Sequence, residues 1–237
     1  MTGRRLALAA ASGAAGAAAA WISYAWGAHL LTPGCVWRGH RTARRVALTF
    51  DDGPDAVWTP RILDLLGARD VRATFFVVGQ RAAQCPELVR AMTEAGHEVG
   101  NHGWSHRSLW LCPPARTATE IGRTHALLTG LTGGAPRYFR PPWGLVNASM
   151  FVVLRRHGLT CVFWSIQPEG LRPVSAETQV RRVLARARPG AIVDLHDAEG
   201  TPRAPARLWE ALPPMIDGLR RAGYELTTLS ELLAVPA

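Results

Sequence analysis

Short apolar runs that alternate with helix-like segments constrain the fold of this chain more than any other feature of its sequence. The predicted strands span 46–50, 73–78, 97–100, 138–140, 161–166, 191–195 and 224–228, and the predicted helices span 60–67, 82–95, 118–128, 148–157, 176–187 and 207–222. Strands that alternate with helices pair in parallel beneath a helical cover. The pattern therefore predicts an α/β fold, and about seven strands favour a closed or nearly closed barrel over an open sheet.

Polar residues stand at or just after the ends of several predicted strands. They are Asp51, Asp52, His102, Arg140, Gln167, His196 and Asp197. In a βα barrel the carboxyl ends of the strands converge on one face, where active sites form. We therefore expect these side chains to meet in one site.

The first of these polar groups is the carboxylate pair Asp51-Asp52, which follows a buried strand. Adjacent buried carboxylates repel each other unless a cation shares the site. The alternative role, a helix cap or turn residue, suits Asp55 better. His102 and His106, spaced i and i+4, are expected on one face of a helical turn, where both can bind one metal ion. Two histidines and a carboxylate leave coordination positions open for water and substrate, as metal-activated attack on a carbonyl requires.

Two further segments supply candidate catalytic groups. The two prolines between Arg140 and Trp143 stiffen their loop and remove amide donors, which leaves the Trp143 N–H as a positioned donor. Arg140 could pair with a carboxylate that does not bind the metal, or could brace the loop from the surface. His196, at a strand end, could protonate a leaving amine, although a histidine in that position can also be structural.

Three sequence motifs carry a resemblance to a known family. They are TFDDGPD at 49–55, TFFVVG at 74–79 and GHEVGNH at 96–102. From about Val46 to Leu233 the chain resembles the polysaccharide deacetylase family, which is carbohydrate esterase family 4 and contains the chitooligosaccharide deacetylase homology domain. The resemblance implies a distorted (β/α)7 TIM-like barrel.

The resemblance also implies a role for each candidate site residue. Asp51 would be the general base, held by Arg140, and His196 would be the acid. The divalent metal ion would be bound by Asp52, His102 and His106. The Trp143 amide would form part of the oxyanion hole. The expected metal is Zn²⁺, with Co²⁺, Mn²⁺ or Ni²⁺ as alternatives.

The chain departs from the family pattern at three positions. Gly103 stands where relatives usually have Ser or Thr, and Trp143 where they usually have Tyr or Phe. Gln167 stands where relatives usually carry an acidic residue that tunes the acid, here His196. We expect Asp194, Asp197 or Glu169 to substitute for that acidic residue. By strand alternation Asp194 shares a face with His196, unless it is an exposed residue at the barrel edge.

The N-terminus predicts export or membrane attachment. Arg4 and Arg5 precede residues 6–31, which contain no charged side chain, and about 20 such residues can span a bilayer. The segment is interpreted as an uncleaved anchor in preference to a cleaved signal peptide, and a soluble Ala-rich helix is the remaining alternative. The expected organisation is a signal peptide or anchor at 1–31, a linker at 32–45 and a catalytic domain at 46–237. That domain is expected outside the cytoplasm, either on a single-pass membrane protein or secreted.

The charge of the chain limits its possible partners, and its cysteines limit its possible disulfides. The formal net charge is +9, and all 27 basic residues are scattered arginines, with no basic stripe that carries interleaved aromatics. We therefore predict no nucleic-acid partner. The four cysteines, Cys35, Cys85, Cys112 and Cys161, are permitted to form disulfides outside the cytoplasm, with three full pairings open.

Together these features predict an enzyme, a metal-dependent hydrolase of carbon–nitrogen bonds other than peptide bonds. The expected reaction is N-deacetylation of N-acetylated amino sugars in an envelope polysaccharide or oligosaccharide, with a glycan containing N-acetylglucosamine as the partner. The alternatives are deformylation or another amide hydrolysis, on a lipid-linked sugar or a cyclic imide, and a catalytically silent glycan-binding domain. The sequence leaves the oligomeric state open.

Overall fold

A computed structural model describes residues 15–170, 172–198 and 202–234, apart from the side chains of residues 29 and 33. In this part of the chain the strands are β1 (Arg45–Asp51), β2 (Thr74–Val77), β3 (Glu98–Asn101), β4 (Tyr138–Phe139), β5 (Thr160–Cys161), β6 (Ala191–His196) and β7 (Glu225–Thr227). The α-helices are α1 (15–26), α2 (Trp58–Ala68), α3 (Gly79–Gln84), α4 (Pro86–Glu94), α5 (Pro114–Thr132), α6 (Ala148–Arg156), α7 (Ala176–Arg186), α8 (Ala204–Arg221) and α9 (Leu229–Leu233). Short 3₁₀ helices span Gly27–Gly34 and Pro142–Gly144.

The strands form one parallel sheet, as the alternating pattern predicts. Its order is β5-β4-β3-β2-β1-β6, and β7 pairs with the first half of β1. A parallel bridge between Ile166 and Val193 connects the segment after β5 to β6. This bridge brings the two ends of the sheet together, which fits the predicted distorted barrel. All strand carboxyl ends consequently lie on one face.

Strand β1 shows how the sequence positions the site. Val46, Leu48 and Phe50 belong to the main apolar core, together with residues of α2 and α8. Ala47, in the alternate register, belongs instead to a second cluster with residues of β2 and β6. The later members of that alternate register are Thr49 and Asp51, both buried. Successive residues of a strand point to opposite faces, so the inner face of β1 changes from apolar to polar towards its carboxyl end.

Two predicted elements differ from the structure. Residues 82–95, predicted as one helix, form α3 and α4, because Cys85 is non-helical and Pro86 begins a new helix. The predicted strand at 161–166 is shorter, since β5 covers Thr160–Cys161 and only isolated bridges follow it.

The N-terminal segment is described only in part. Residues 1–14 of the predicted signal peptide or anchor lie outside the described residues, and 15–26 are helical. Across the described ranges, every helix is too short or too polar to cross a membrane. Helix α1 contacts the barrel: the Tyr24 hydroxyl donates to the Cys112 carbonyl at 3.0 Å, and Trp26 packs edge-on against Trp110. The side chains of Ile22 and Trp26 are each more than half exposed.

Candidate active site

Asp52, His102 and His106 form a cluster that could hold a metal ion. Their ligand atoms all lie within 4.8 Å of one another. Asp52 directly follows β1 and has φ of +76°, an uncommon conformation for a residue with a side chain. His106 Nε2 lies 2.8 Å and His102 Nε2 3.4 Å from the same Asp52 oxygen, Oδ1. The structure thus brings together the three residues that the sequence predicts as metal ligands.

From their spacing we predicted that the two histidines lie on a helical turn. This prediction is wrong. Both histidines belong to an irregular loop after β3, in which His106 has φ of +55°. Glu120, a buried residue of α5, fixes this loop by accepting hydrogen bonds from the backbone N–H groups of Trp104 and Ser105 at 3.1 and 2.8 Å. The role of Glu120 could not be predicted from the sequence, because a single glutamate in a helix gives no signal for a contact with a loop that precedes it.

The chemistry of the cluster fits a cation. His102 Nδ1 lies 2.8 Å from the Arg140 carbonyl, which can only accept, so Nδ1 carries the proton and Nε2 presents a lone pair. Asp52 Oδ1 is buried and receives no hydrogen bond from the described residues. Lone pairs that face one another in a buried site repel unless a positive charge stands between them. This donor set of two imidazoles and one carboxylate suits a divalent metal ion.

A buried arginine organises the second carboxylate. Arg140 is fully buried, and its Nη1 donates to Asp51 Oδ1 at 2.6 Å and to Thr49 Oγ1 at 2.8 Å. Its Nη2 donates to the Phe163 carbonyl at 3.0 Å, and the guanidinium lies over the Phe76 ring. A buried ion pair is stable only when such additional hydrogen bonds satisfy it. Arg140 is therefore not a surface brace, and it holds Asp51 beside the cluster.

His196 and Asp194 lie on the inner face of β6. His196 pairs in register with Asp51, and Asp194 pairs with Thr49. Asp194 is buried, so the exposed position that we considered for it is wrong. Its Oδ2 accepts from Gln167 Nε2 at 3.1 Å, and its Oδ1 lies 3.4 Å from Arg140 Nη1. Gln167 and Asp194 thus form an amide–carboxylate pair beside His196.

Burial and charge shift the pKa values of this pair of strand residues. Burial raises the pKa of Asp194 to about 7, and the nearby Asp51 carboxylate adds to the effect. Burial lowers the pKa of His196, but the carboxylates of Asp194, Asp52 and Asp51 outweigh it, so the His196 pKa is raised overall. A raised pKa favours the protonated imidazole, which is the form that a general acid needs.

The other acidic candidates have different partners. Glu169 pairs with Arg207, whose Nε lies 2.8 Å from Oε1. Asp197 accepts a hydrogen bond from the Thr59 hydroxyl and lies against Gly53, where a Cβ atom would meet its carboxylate. Of the three residues expected to substitute for the missing acidic group, Asp194 is the one that hydrogen-bonds Gln167.

These groups open onto one cavity of about 340 Å³. Its lining includes both carboxylates, both cluster histidines, His196 and Trp143. Trp143 stands at the rim, 55% exposed, with φ of +63° and its ring 5.3 Å from that of His106. A larger groove of about 670 Å³ between α7 and α8 is lined by side chains such as Val180 and Leu184 and shares no lining residue with this cavity. The smaller cavity is therefore the candidate active site.

Fold and site together define a class: parallel α/β barrels with an Asp-His-His cluster and an arginine-held aspartate at the strand ends. The polysaccharide deacetylase family profile matches residues 38–162. A chitooligosaccharide deacetylase of Bradyrhizobium sp. (strain ANU 289) is 38% identical over 200 residues, which cover 80% of this chain and 90% of that protein. The chain belongs to the polysaccharide deacetylase family, carbohydrate esterase family 4, which confirms the resemblance.

Two further relatives act, by their names, on peptidoglycan. The crystal structure of the Bc1960 peptidoglycan N-acetylglucosamine deacetylase has a TM-score of 0.80 and 32% identity, and the match covers 84% of this chain and 92% of that one. The peptidoglycan-N-acetylglucosamine deacetylase PgdA of Listeria monocytogenes serotype 1/2a (strain 10403S) is 38% identical over 192 residues. That match covers 81% of this chain, and the chain spans only 39% of the length of PgdA.

Proposed function

We propose that this protein is a metal-dependent hydrolase that removes acetyl groups from N-acetylglucosamine units of an envelope glycan or oligosaccharide. One observation carries the proposal: the Asp52, His102 and His106 cluster opens onto the same cavity as Asp51 and His196. The relatives' names, which cite peptidoglycan and chitooligosaccharides, support an N-acetylglucosamine substrate.

Asp52, His102 and His106 would hold the metal, for which Zn²⁺ is the first candidate. A bound divalent cation supplies Lewis acidity towards the acetamide carbonyl and lowers the pKa of water. Asp51, oriented by Arg140, takes the proton of the attacking water. The Trp143 amide is proposed to stabilise the developing oxyanion. His196 then donates its proton to the departing amine, so acetate and a free amino sugar leave the site.

The test is acetate release from acetylated chitooligosaccharides and from peptidoglycan by the zinc-loaded protein. Asp51→Asn removes the base and His102→Ala removes a ligand, so each should lower the rate by at least about 100-fold. The matched controls are Asp217→Asn and His40→Ala, which change an exposed aspartate and an exposed histidine. Wild-type rates in both Asp51→Asn and His102→Ala would refute the assignment.

Two observations favour alternative functions, which the experiment should also test. Gln167 replaces an acidic residue, which favours a catalytically silent glycan-binding domain. Such a domain would bind glycan but release nothing. The exposed apolar side chains near the N-terminus, including Ile22 and Trp26, favour a lipid-linked substrate. Formate release from formylated sugars, measured beside acetate release, separates deformylation from deacetylation.

We also propose that the N-terminal segment attaches the protein to a membrane and places the barrel outside the cytoplasm. Arg4 and Arg5, the uncharged run at 6–31 and the exposed apolar side chains of α1 support this location. The test is membrane fractionation of the full chain followed by protease treatment of intact cells. A barrel that stays with the soluble cytoplasmic fraction would contradict the proposal.

A further inference from the structure

Two buried cysteines, Cys35 and Cys161, form a pair that the proposed chemistry does not use. Cys35 follows the 3₁₀ helix at the N-terminus and is 9% exposed, whereas Cys161 ends β5 and is 7% exposed. The two thiols lie close enough to share a hydrogen bond. Both are free in the structure, as are Cys85 and Cys112. The sequence alone did not distinguish this pairing from the others.

Backbone pairing holds the two cysteines side by side. The Val36 N–H donates to the Cys161 carbonyl at 2.9 Å, and the Phe163 N–H donates to the Val36 carbonyl at 2.8 Å. These bonds form a parallel bridge between Val36 and Val162, so the preceding residues of the two segments are also neighbours. Paired strands lie about 4.8 Å apart. A disulfide joins residues whose Cα atoms are about 4.4–6.8 Å apart, so this backbone suits one.

We propose that Cys35 and Cys161 form a disulfide on contact with a disulfide oxidant, and that this bond fastens the N-terminal segment to the barrel. The Cys35 thiolate attacks one sulfur of the oxidant, for example oxidised glutathione, and releases one glutathione thiolate. The Cys161 thiolate then attacks the Cys35 sulfur of the mixed disulfide and releases the second. Two protein thiols are oxidised, the oxidant disulfide is reduced to two thiols, and the two protons pass to the released thiolates.

The order of attack follows from the environment of the two thiols. The hydrogen bond from the Cys161 thiol lowers the pKa of Cys35, while the same contact and burial raise the pKa of Cys161. The thiolate is the attacking species in disulfide exchange, so Cys35 is the better first nucleophile. Cys161 is then positioned to resolve the mixed disulfide.

The bond would strengthen a contact that reaches the candidate active site. Trp37, two residues after Cys35, stacks on Phe163 with ring centroids 4.1 Å apart. The Phe163 carbonyl in turn accepts from Arg140. The disulfide would close the loop from 35 to 161, which contains β1 to β4 and the metal cluster. Because a cross-link restricts the unfolded chain more as the loop lengthens, we expect a large effect on thermal stability.

The first test is a thiol count on the purified full chain after equilibration with oxidised glutathione. Iodoacetamide alkylation without reduction should modify only Cys85 and Cys112, and peptide mass spectrometry should find Cys35 linked to Cys161. Four alkylated cysteines, a stable glutathione adduct at Cys35 or any other pairing would overturn the proposal. This measurement needs no variant, so it does not depend on how the variants fold.

The second test is the melting temperature of the oxidised protein with and without dithiothreitol. Reduction should lower the Tm of the wild type by on the order of 10 °C. Cys35→Ala and Cys161→Ala should each abolish this response, whereas the matched control Cys85→Ala should keep it. A wild-type Tm that does not respond to reduction would overturn the fastening role, whatever the activity of the enzyme.

Discussion

Asp194→Asn tests whether a carboxylate on β6 has taken over the tuning of the proposed acid. Asp194 hydrogen-bonds Gln167 and lies two residues before His196 on the inner face of the strand. The substitution keeps the size and polarity of the side chain but removes its negative charge. Since Asp194 raises the pKa of His196, we expect the variant to have a His196 pKa below that of the wild type.

The size of the effect follows from the geometry of the strand. Residues two apart on one strand face are separated by about 7 Å, which gives a charge interaction of about 2.4 kcal/mol at an effective dielectric constant of about 20. That energy corresponds to nearly two pKa units. However, Arg140 screens Asp194, and an Asp194 pKa of about 7 leaves its charge incomplete at neutral pH. We therefore expect a shift of about one unit.

The assay is the pH dependence of kcat/KM for acetate release. His196 must be protonated to act as an acid, so activity falls as pH rises through its pKa. The alkaline limb of the Asp194→Asn profile should move down by about one pH unit, with a loss of about tenfold above the limb and little change below it. A loss that is equal at every pH would instead indicate that Arg140 and Asp51 had been displaced.

The matched variant exchanges the two partners of one hydrogen bond. Asp194→Asn combined with Gln167→Asp moves the carboxylate to the position where relatives usually carry it and keeps an amide opposite. We expect the alkaline limb to return most of the way to the wild-type pH. An unshifted limb in the single variant, or no recovery in the double variant, would refute the tuning role of Asp194.

The remaining predictions concern the metal, the buried arginine and a buried carboxyl group. A chelator should abolish acetate release, and added Zn²⁺ should restore it. His106→Ala should weaken zinc binding, measured by calorimetry. Activity that survives metal removal would contradict a metal-dependent reaction. Arg140→Leu should leave Asp51 unpaired and lower the free energy of unfolding by about 3 kcal/mol in denaturant titrations, and a stability equal to wild type would contradict it. Burial raises the pKa of Asp197 to about 7, so its stabilising contribution is present below about pH 4 and is lost as pH rises towards 7. Asp197→Asn should therefore gain about 4 kcal/mol over the wild type between pH 4 and pH 8, and a gain independent of pH would contradict it.

The sequence predicts the strand-end positions because side-chain alternation along a strand is a local rule and strands joined by helices run in the same direction. Asp51, Asp52 and His196 each follow or end an apolar run, and the structure places all three around one cavity. This convergence can be predicted without the strand order or the loop conformations, since parallel strands that alternate with helices all end on one face. The catalytic roles of these residues stay predictions until they are tested in solution.

The conformation of the loops could not be predicted in the same way. The spacing of His102 and His106 suits a helical turn, yet the structure has an irregular loop held by Glu120 from α5. That contact joins residues more than ten positions apart, and it outweighs the local preference of the loop. Hydrogen bonds between distant residues leave no periodic pattern in a sequence, so they are visible only in the fold.

The register between β1 and β6 explains how the site could accommodate Gln167. Asp51 pairs with His196, so the residue two positions earlier on β6 is necessarily opposite Thr49. Arg140 donates to Thr49, so a carboxylate at position 194 lies near its guanidinium. The same guanidinium already holds Asp51, the proposed base. A negative charge on the strand needs no new loop conformation and no new counter-ion. The register thus allows the tuning charge to lie on the strand instead of the loop, while the base, the acid and the metal ligands keep their positions.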